Sequence, residues 1–335
     1  MNQVIMIINN IYSNKKWRKK MKRLKALVAL SLTIATLGIA TGCSGSSNNE
    51  ENNKSETRIV ETAKGEVEIP ANPQRIVDIS GNSEELVLLG YTPVGTANVD
   101  SYKTDSVPSY VKDELGESKI VGHSMMDTMD TEAILGLEPD LIIMAPRQEK
   151  IYDQLKEIAP VVMLDDEYND WEAKLMDVAE IFEKEDEAQK WLDTYYVKAE
   201  EVGKEVKAAK GEDESYIAVL AQTGGQFMVF SNAGIGTVLS EDMGLKQPEN
   251  MPEQDSITLP TITMEGLAEI DADNIIVIGT ESDKADLEKS SVWAQIRAVK
   301  EGNVTILDAS PYFSQPYNPI GRLLILDTIK DELVK

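Results

Sequence analysis

The chain has 335 residues with 33 basic and 58 acidic side chains, one histidine and one cysteine. Residues 1–42 hold eight of the basic residues and no acidic one, so residues 43–335 set 25 basic against 58 acidic side chains, a formal charge of −33. A polyanion of that kind does not seek nucleic acid or anionic lipid head groups, a single cysteine excludes a disulfide framework, and residues 43–335 exceed what one ordinary core organises, which predicts two lobes.

The first element in chain order is an export signal. Lys22, Arg23 and Lys25 precede an apolar run from Ala26 to Ala40, then small residues, then Cys43. The run is shorter than the ~20 residues of a spanning helix. Met21 begins a complete signal by itself, so Met1 to Lys20 reads as upstream sequence. The stretch Leu37-Gly-Ile-Ala-Thr-Gly-Cys43 resembles the bacterial lipobox, with Ala40 where that family usually has Leu. The resemblance implies cleavage at residue 42 and a lipidated (palmitate-bearing) Cys43, which then neither catalyses nor pairs. Residues 43–56 follow as a tether, since Ser44 to Ser55 contains no apolar residue to bury.

From Arg58 onward, β-rich runs alternate with helical periods. Ile76–Ile79 predicts a strand, Ser83–Leu89 a helix, Leu141–Met144 a strand and Lys150–Ile158 a helix, the alternation of a parallel sheet covered by helices. About forty residues from Asp170 to Ala209 lack proline and keep a helical apolar period. They predict one connecting helix over 169–209 between an N-terminal lobe, 57–168, and a C-terminal lobe, 210–335. An internal echo supports two lobes: Thr131-Glu-Ala-Ile-Leu-Gly-Leu-Glu-Pro-Asp-Leu-Ile-Ile-Met144 recurs as Met264-Glu-Gly-Leu-Ala-Glu-Ile-Asp-Ala-Asp-Asn-Ile-Ile-Val277. Glu132 matches Glu265 and Asp140 matches Asp273, each 133 positions on.

Four segments carry a family resemblance: Pro73-Gln-Arg-Ile-Val-Asp78, Leu89-Gly-Tyr-Thr-Pro-Val-Gly95, Leu137-Glu-Pro-Asp-Leu-Ile-Ile143 and Trp293-Ala-Gln-Ile-Arg-Ala-Val-Lys-Glu-Gly-Asn-Val304. With them the chain resembles the class III substrate-binding lipoproteins of ABC importers for ferric siderophores, heme and cobalamin. The resemblance implies an α/β fold of two Rossmann-like lobes joined by a single long α-helix, with ligand held in the cleft between them. It implies no cofactor beyond the ferric siderophore carried as ligand, no directly bound metal and no catalysis. The implied partners are an ABC permease dimer with its ATPase and the membrane through the lipid anchor. The receptor would be a monomer on the extracytoplasmic face of the cell membrane of a Gram-positive bacterium.

Within the family, the segment Arg147 to Pro160 is similar to that of ferric catecholate binders of the petrobactin and enterobactin type, where the arginine contacts the ligand. Carboxyl ends of parallel strands collect ligands in α/β sheets, which marks Gly81 and Asn82, Tyr102 and Lys103, His123 and Ser124, and Arg147 as first-lobe cleft residues. The resemblance adds Phe227, Asn232, Tyr312, Phe313 and Tyr317 from second-lobe loops. It also assigns Glu132 and Glu265 to the top surface, each pairing with permease arginines. The chain departs from the catecholate pattern in having no Arg or Lys in Ser231–Gly236 or Ser256–Thr263, which keeps hydroxamate ligands open.

Rival classes find little support. There is no GxSxG elbow, no Walker loop and no second histidine for a triad. A receptor for free zinc or manganese needs several histidines. A heme or cobalamin receptor of the same fold stays open through His123, Met125, Met126 and Tyr312.

Overall fold

In the computed structural model the described residues are 56–165, 170–255 and 257–334. The export signal and Cys43 lie outside them. The first element is a hairpin of β1 (Thr57–Thr62) and β2 (Gly65–Pro70). It seats Val60 and Ile69 on the core.

The first lobe is a parallel sheet in the order β5-β4-β3-β6-β7, made from β3 (Ile76–Asp78), β4 (Gly95–Thr96), β5 (Lys119–Ile120), β6 (Leu141–Met144) and β7 (Val161–Met163). All four residues of β6 are fully buried. A strand covered on both faces is a continuous apolar run rather than an alternating one. The second lobe has the order β10-β9-β8-β11-β12, from β8 (Tyr216–Gln222), β9 (Gln226–Val229), β10 (Thr261–Thr263), β11 (Asn274–Gly279) and β12 (Val304–Asp308). Here β8, β11 and β12 are parallel, and β9 and β10 extend the sheet antiparallel. Helices α1 (Ser83–Leu88) and α2 (Thr131–Gly136) belong to the first lobe, α5 (Met264–Ile270) and α6 (Glu281–Lys289) to the second, and α3 (Trp171–Ile181), α4 (Glu185–Lys210) and α7 (Pro319–Leu333) tie the two together.

Two expected helices differ. Instead of one helix over Lys150–Ile158, a 3₁₀ turn spans Pro146–Ile151 and one helical turn spans Tyr152–Leu155. Pro146 sets a helical φ early, and Pro160 disfavours helix at the residue before it. The segment expected as one helix over 169–209 is α3 and α4, separated where Glu183 takes a left-handed φ of 55°. Ile181 and Phe182 before the break and Ala188 and Leu192 after it are all buried, so the apolar period runs through it.

The long helix is α4, with 26 residues and a length of about 39 Å. Its first turn carries Glu185, Asp186 and Glu187 and its last turn Lys207 and Lys210, charges that suit the helix dipole. A Cβ on Gly203 would lie 2.0 Å from the Met243 carbonyl oxygen; glycine there lets α4 press against the turn ending at Met243. The largest core is shared by both lobes, joining Leu141 and Ile143 of β6, Tyr216 and Ala218 of β8, Tyr195 and Val202 of α4, and Ile325 and Leu326 of α7. Each Leu, Ile or Val among them contributes roughly 1.5–3 kcal/mol when fully buried, so the lobes are coupled through one apolar mass.

The internal echo has a structural cause. The Asp140 carboxylate accepts the backbone N–H groups of Gln74 (2.7 Å) and Arg75 (2.9 Å), pinning the start of β3 beside β6. Asp273 accepts from the N–H (2.8 Å) and hydroxyl (2.6 Å) of Ser215, pinning β8 beside β11. In both copies the turn before the aspartate is left-handed, at Glu138 (φ 47°) and Asp271 (φ 53°). The aspartates thus hold neighbouring strands in register. The matched glutamates do no such work.

Candidate functional site

The loops at the carboxyl ends of the first-lobe strands interlock. Gln148, fully buried, accepts the Ala145 N–H with its carbonyl (3.1 Å) and donates from its amide to the Ser124 (2.8 Å) and Met126 (3.0 Å) carbonyls. Arg147 donates to the Met125 carbonyl (3.3 Å). The Ser124 N–H donates to Ala97 beyond β4, and Gly81, at φ 94°, leaves room that a Cβ would take only 2.8 Å from Ser124. Loops after β3, β4, β5 and β6 therefore form one rim. Met125 and Met126 stand exposed on it at 44% and 54%. His123 accepts the Met125 N–H at Nδ1 (3.1 Å), which assigns the ring proton to Nε2, and partial burial lowers the pKa of its imidazole. Glu149 pairs with Lys64.

The two lobes meet at the loop after β4. Asp100 accepts the Ser310 hydroxyl (2.7 Å), the hydroxyls of Ser101 and Ser314 are 2.9 Å apart, and the Tyr102 ring meets Phe313 edge-on with centroids 5.6 Å apart. Phe313 also lies against Phe230 and Tyr317. Gly234, at φ 51°, admits the Tyr317 ring to within 3.0 Å of where a Cβ would sit. Beneath this junction Glu84 of α1 accepts the Gly321 N–H in the first turn of α7 (2.9 Å) and the Tyr110 hydroxyl (2.7 Å).

Charge around the junction is mostly negative. Burial, then the carboxylates of Asp283 and Asp100, push the Tyr102 phenol up. Lys284, at the carboxyl ends of β11 and β12, is already bonded to Asp308 and Glu281. Among the described residues no group of three or more His, Cys, Asp or Glu side chains is placed to hold a metal ion.

The structure brings together His123, Ser124 and Arg147 on the rim, and Tyr102, Phe313 and Tyr317 at the junction. Lys103 is exposed, in a turn closed by its N–H donating to Asp100 (3.1 Å). Asn82 is buried at the start of α1. Tyr312 is half-buried against the shared core. Asn232 is exposed, with its backbone N–H donating to the Gln254 side chain (2.9 Å). Phe227 does not face the cleft. It is a fully buried β9 residue stacked on Trp293 with centroids 6.1 Å apart, because strand alternation after the Gly224-Gly225 turn directs it into the second-lobe core. Gln148, Asp100 and Lys284 were missed. An isolated polar residue in a polar run carries no sequence signal, and partners some 210 positions apart carry none either.

Two α/β lobes sharing a core through one long helix, with strand-end loops meeting between them, define a two-lobed solute-binding protein. The chain belongs to the periplasmic binding protein family, whose profile matches residues 80–311. It is 31% identical to the "Probable siderophore-binding lipoprotein YfiY" of Bacillus subtilis strain 168, over 86% of this chain and 91% of that one. It is 30% identical to the "Iron(3+)-hydroxamate-binding protein YxeB" of the same strain, over 95% of this chain and 98% of that one. A solved Bacillus subtilis structure, described as a FhuD fold-family periplasmic binding protein component of a Fep/Fec-like ferrichrome ABC transporter, superposes with a TM-score of 0.69 at 25% identity, covering 82% of this chain and 100% of that one. The fold and these relatives are those of binding proteins, and the chain is not an enzyme.

Proposed function

We propose that this chain is a monomeric receptor, anchored by lipid on Cys43 at the extracytoplasmic face of a Gram-positive cell membrane, that captures a ferric siderophore between its lobes and delivers it to an ABC permease dimer with its ATPase. The observation that carries the reading is the pairing of a cationic, hydrogen-bonding rim around Arg147 with an aromatic junction of Tyr102, Phe313 and Tyr317. A planar guanidinium and ring faces suit the oxygen-rich surface and the planar donor groups of a ferric chelate. The names of the two curated relatives support the ligand class.

The expectation of a catecholate rests on Arg147. The charge at the junction favours a second choice, because a ferric tris-catecholate of about three negative charges would face Asp100, Asp283 and Asp308 with Lys284 already engaged. A ferric hydroxamate of low net charge meets no such repulsion, and we place it ahead. Heme fits less well, since binding iron through His123 Nε2 would displace the proton that its present hydrogen bond assigns there.

Ferric hydroxamate, ferric catecholate, ferric citrate and hemin, titrated separately against the tryptophan fluorescence of residues 44–335, test this reading. Trp171 and Trp293 lie in the cores and Trp191 packs half-buried against the first, so quenching reports energy transfer to the coloured chelate. Hydroxamate should bind tightest. Arg147→Ala should weaken an anionic chelate about tenfold or more, the scale of a lost charge-assisted hydrogen bond, and a neutral one far less. No response to any of the four would overturn the siderophore assignment.

Glu132 and Glu265 are the second residues of α2 and α5, both exposed, and neither makes an ion pair or hydrogen bond with another described residue. Their helices are related by the repeat, as docking on a two-fold permease requires. Glu132→Ala with Glu265→Ala should abolish uptake of the iron complex in cells while leaving its binding unchanged. Unchanged uptake would end the docking role.

A further inference from the structure

The loop after β4 is organised by one carboxylate that both lobes share. Asp100 is 2% exposed. One of its oxygens accepts the Tyr102 N–H two residues on (2.8 Å), and the other accepts the hydroxyl of Ser310 from the second lobe (2.7 Å). Its backbone closes the same loop, with its N–H donating to the Ser106 carbonyl (3.0 Å) and its carbonyl accepting the Lys103 N–H (3.1 Å). None of these bonds needs a charge. Asparagine makes the same turn onto the second following residue as aspartate does, and a serine hydroxyl that donates to a carboxylate can turn to accept from an amide. A carboxylate costs more to bury than an amide, so the hydrogen bonding leaves the charge of Asp100 without a structural task.

We propose that Asp100 is a specificity-determining residue of the cleft, its fixed charge at the lobe junction rejecting polyanionic ferric chelates and leaving those of low net charge unaffected. The proposal rests on the reading above, that a ferric hydroxamate lies between the lobes, and adds the residue that sets the charge the ligand carries. The Tyr102 ring, 40% exposed at the junction, lies in the field of Asp100 and of Asp283. Asp283 brings a second carboxylate from α6 of the opposite lobe, where it accepts the Thr280 N–H (3.0 Å). Lys284 beside it is bonded to Asp308 and Glu281 and is not free to neutralise either one. Lys103 is exposed, so solvent and salt screen its charge, whereas a buried carboxylate is screened much less. Arg147 attracts an anion from the rim and Asp100 opposes it from the junction, so the charge of the preferred ligand follows from the balance of the two.

The test titrates the full-length protein in detergent micelles, by tryptophan quenching, with two probes: a ferric trihydroxamate without net charge and a ferric tris-catecholate of about three negative charges. Asp100→Asn should bind the tris-catecholate about tenfold more tightly, the scale of removing a unit charge roughly 10 Å from a trianion, with trihydroxamate affinity and melting temperature unchanged. A gain for one probe alone is not what a damaged loop produces. Asp283→Asn, which keeps an acceptor for the Thr280 N–H, should move the ratio of the two affinities in the same direction and less, because Asp283 is half-exposed. Glu66→Gln removes an equal charge from the exposed face of the hairpin, which bonds to β7 through the Ala63 N–H and the Met163 carbonyl (3.0 Å), and should move nothing. An unchanged ratio in Asp100→Asn, an equal rise for both probes, or the same rise in Glu66→Gln would overturn the inference. Wild-type protein that prefers the tris-catecholate, or binds neither probe, would overturn the hydroxamate reading and the filter together; wild-type protein that prefers the trihydroxamate, with a ratio that Asp100→Asn leaves unmoved, would overturn the filter alone.

Discussion

Arg322→Ala is expected to destabilise the protein by about 3–5 kcal/mol, the range for removing one partner of a buried ion pair, and to lower its melting temperature by on the order of 10 °C. Arg322 lies in α7 and is 2% exposed. Its guanidinium donates to Asp242 (2.8 Å), to the Pro316 carbonyl (2.9 Å) and to the Thr237 hydroxyl (2.9 Å), and its cation sits 4.9 Å from the Trp171 ring centre. The Tyr195 hydroxyl donates to the same Asp242 carboxylate. These contacts fasten α7 to the Val238–Asp242 turn, to α3 and to α4. Alanine would leave Asp242 buried with the phenol as its remaining donor. The variant Arg322→Met with Asp242→Leu removes both charges and should recover much of the loss, because a well-packed apolar pair is often as stable as a buried ionic one. Urea melts of the three proteins decide it. A loss below 1 kcal/mol in Arg322→Ala would mean that water reaches this pair and that the network contributes little.

How far the sequence carries can be judged from particular residues. The all-apolar run of β6 and the βα alternation were legible because burial on both faces leaves no polar position in a strand. The two-lobe repeat was legible because Asp140 and Asp273 perform the same local task, capping a neighbouring strand, and such a task fixes both residue type and spacing. The break at Glu183 was hidden, since the buried face of α3 continues into α4 without a change of period. Phe227 was misplaced by family analogy although it follows a Gly-Gly turn, where alternation alone would have turned it inward. The rim around Gln148 and the contacts of Asp100, Ser101 and Tyr102 with Ser310, Ser314 and Phe313 depend on tertiary placement, which no local pattern encodes. Arg147, His123 and Ser124 came out together because strand-end loops of a parallel sheet must converge.

The stability of the protein should fall as pH rises from about 5 to about 9, opposite to the usual behaviour of an acidic protein whose carboxylates are paired. Two adjacent glutamates of α1 cause this. Burial pushes Glu84 up to about 7, against the hydrogen bonds from Tyr110 and the Gly321 N–H. Burial pushes Glu85 up to about 8, opposed by Lys174 and reinforced by Glu84, and neither Glu85 oxygen has a hydrogen-bond partner among the described residues. In the unfolded chain both titrate near 4.5. Between that value and 7 to 8 the folded state therefore holds protons that the unfolded state has released, so raising pH through this window favours unfolding. The effect is on the order of 3 kcal/mol for Glu84 alone, from 1.36 kcal/mol per tenfold change in proton affinity. Exposed carboxylates contribute little to the window, because they are ionised in both states by about pH 5.5. Glu85→Gln removes the unpartnered charge and should raise the melting temperature by roughly 5 °C at pH 8.5 and by little at pH 5. Glu84→Gln should gain less, since ionised Glu84 sits at the amino end of α7, where the helix dipole and the Gly321 N–H favour its charge. Thermal melts from pH 5 to 9 read all three proteins. A wild-type melting temperature that rises across this range, or a Glu85→Gln protein whose profile parallels wild type, would show that α1 does not bury these charges in solution.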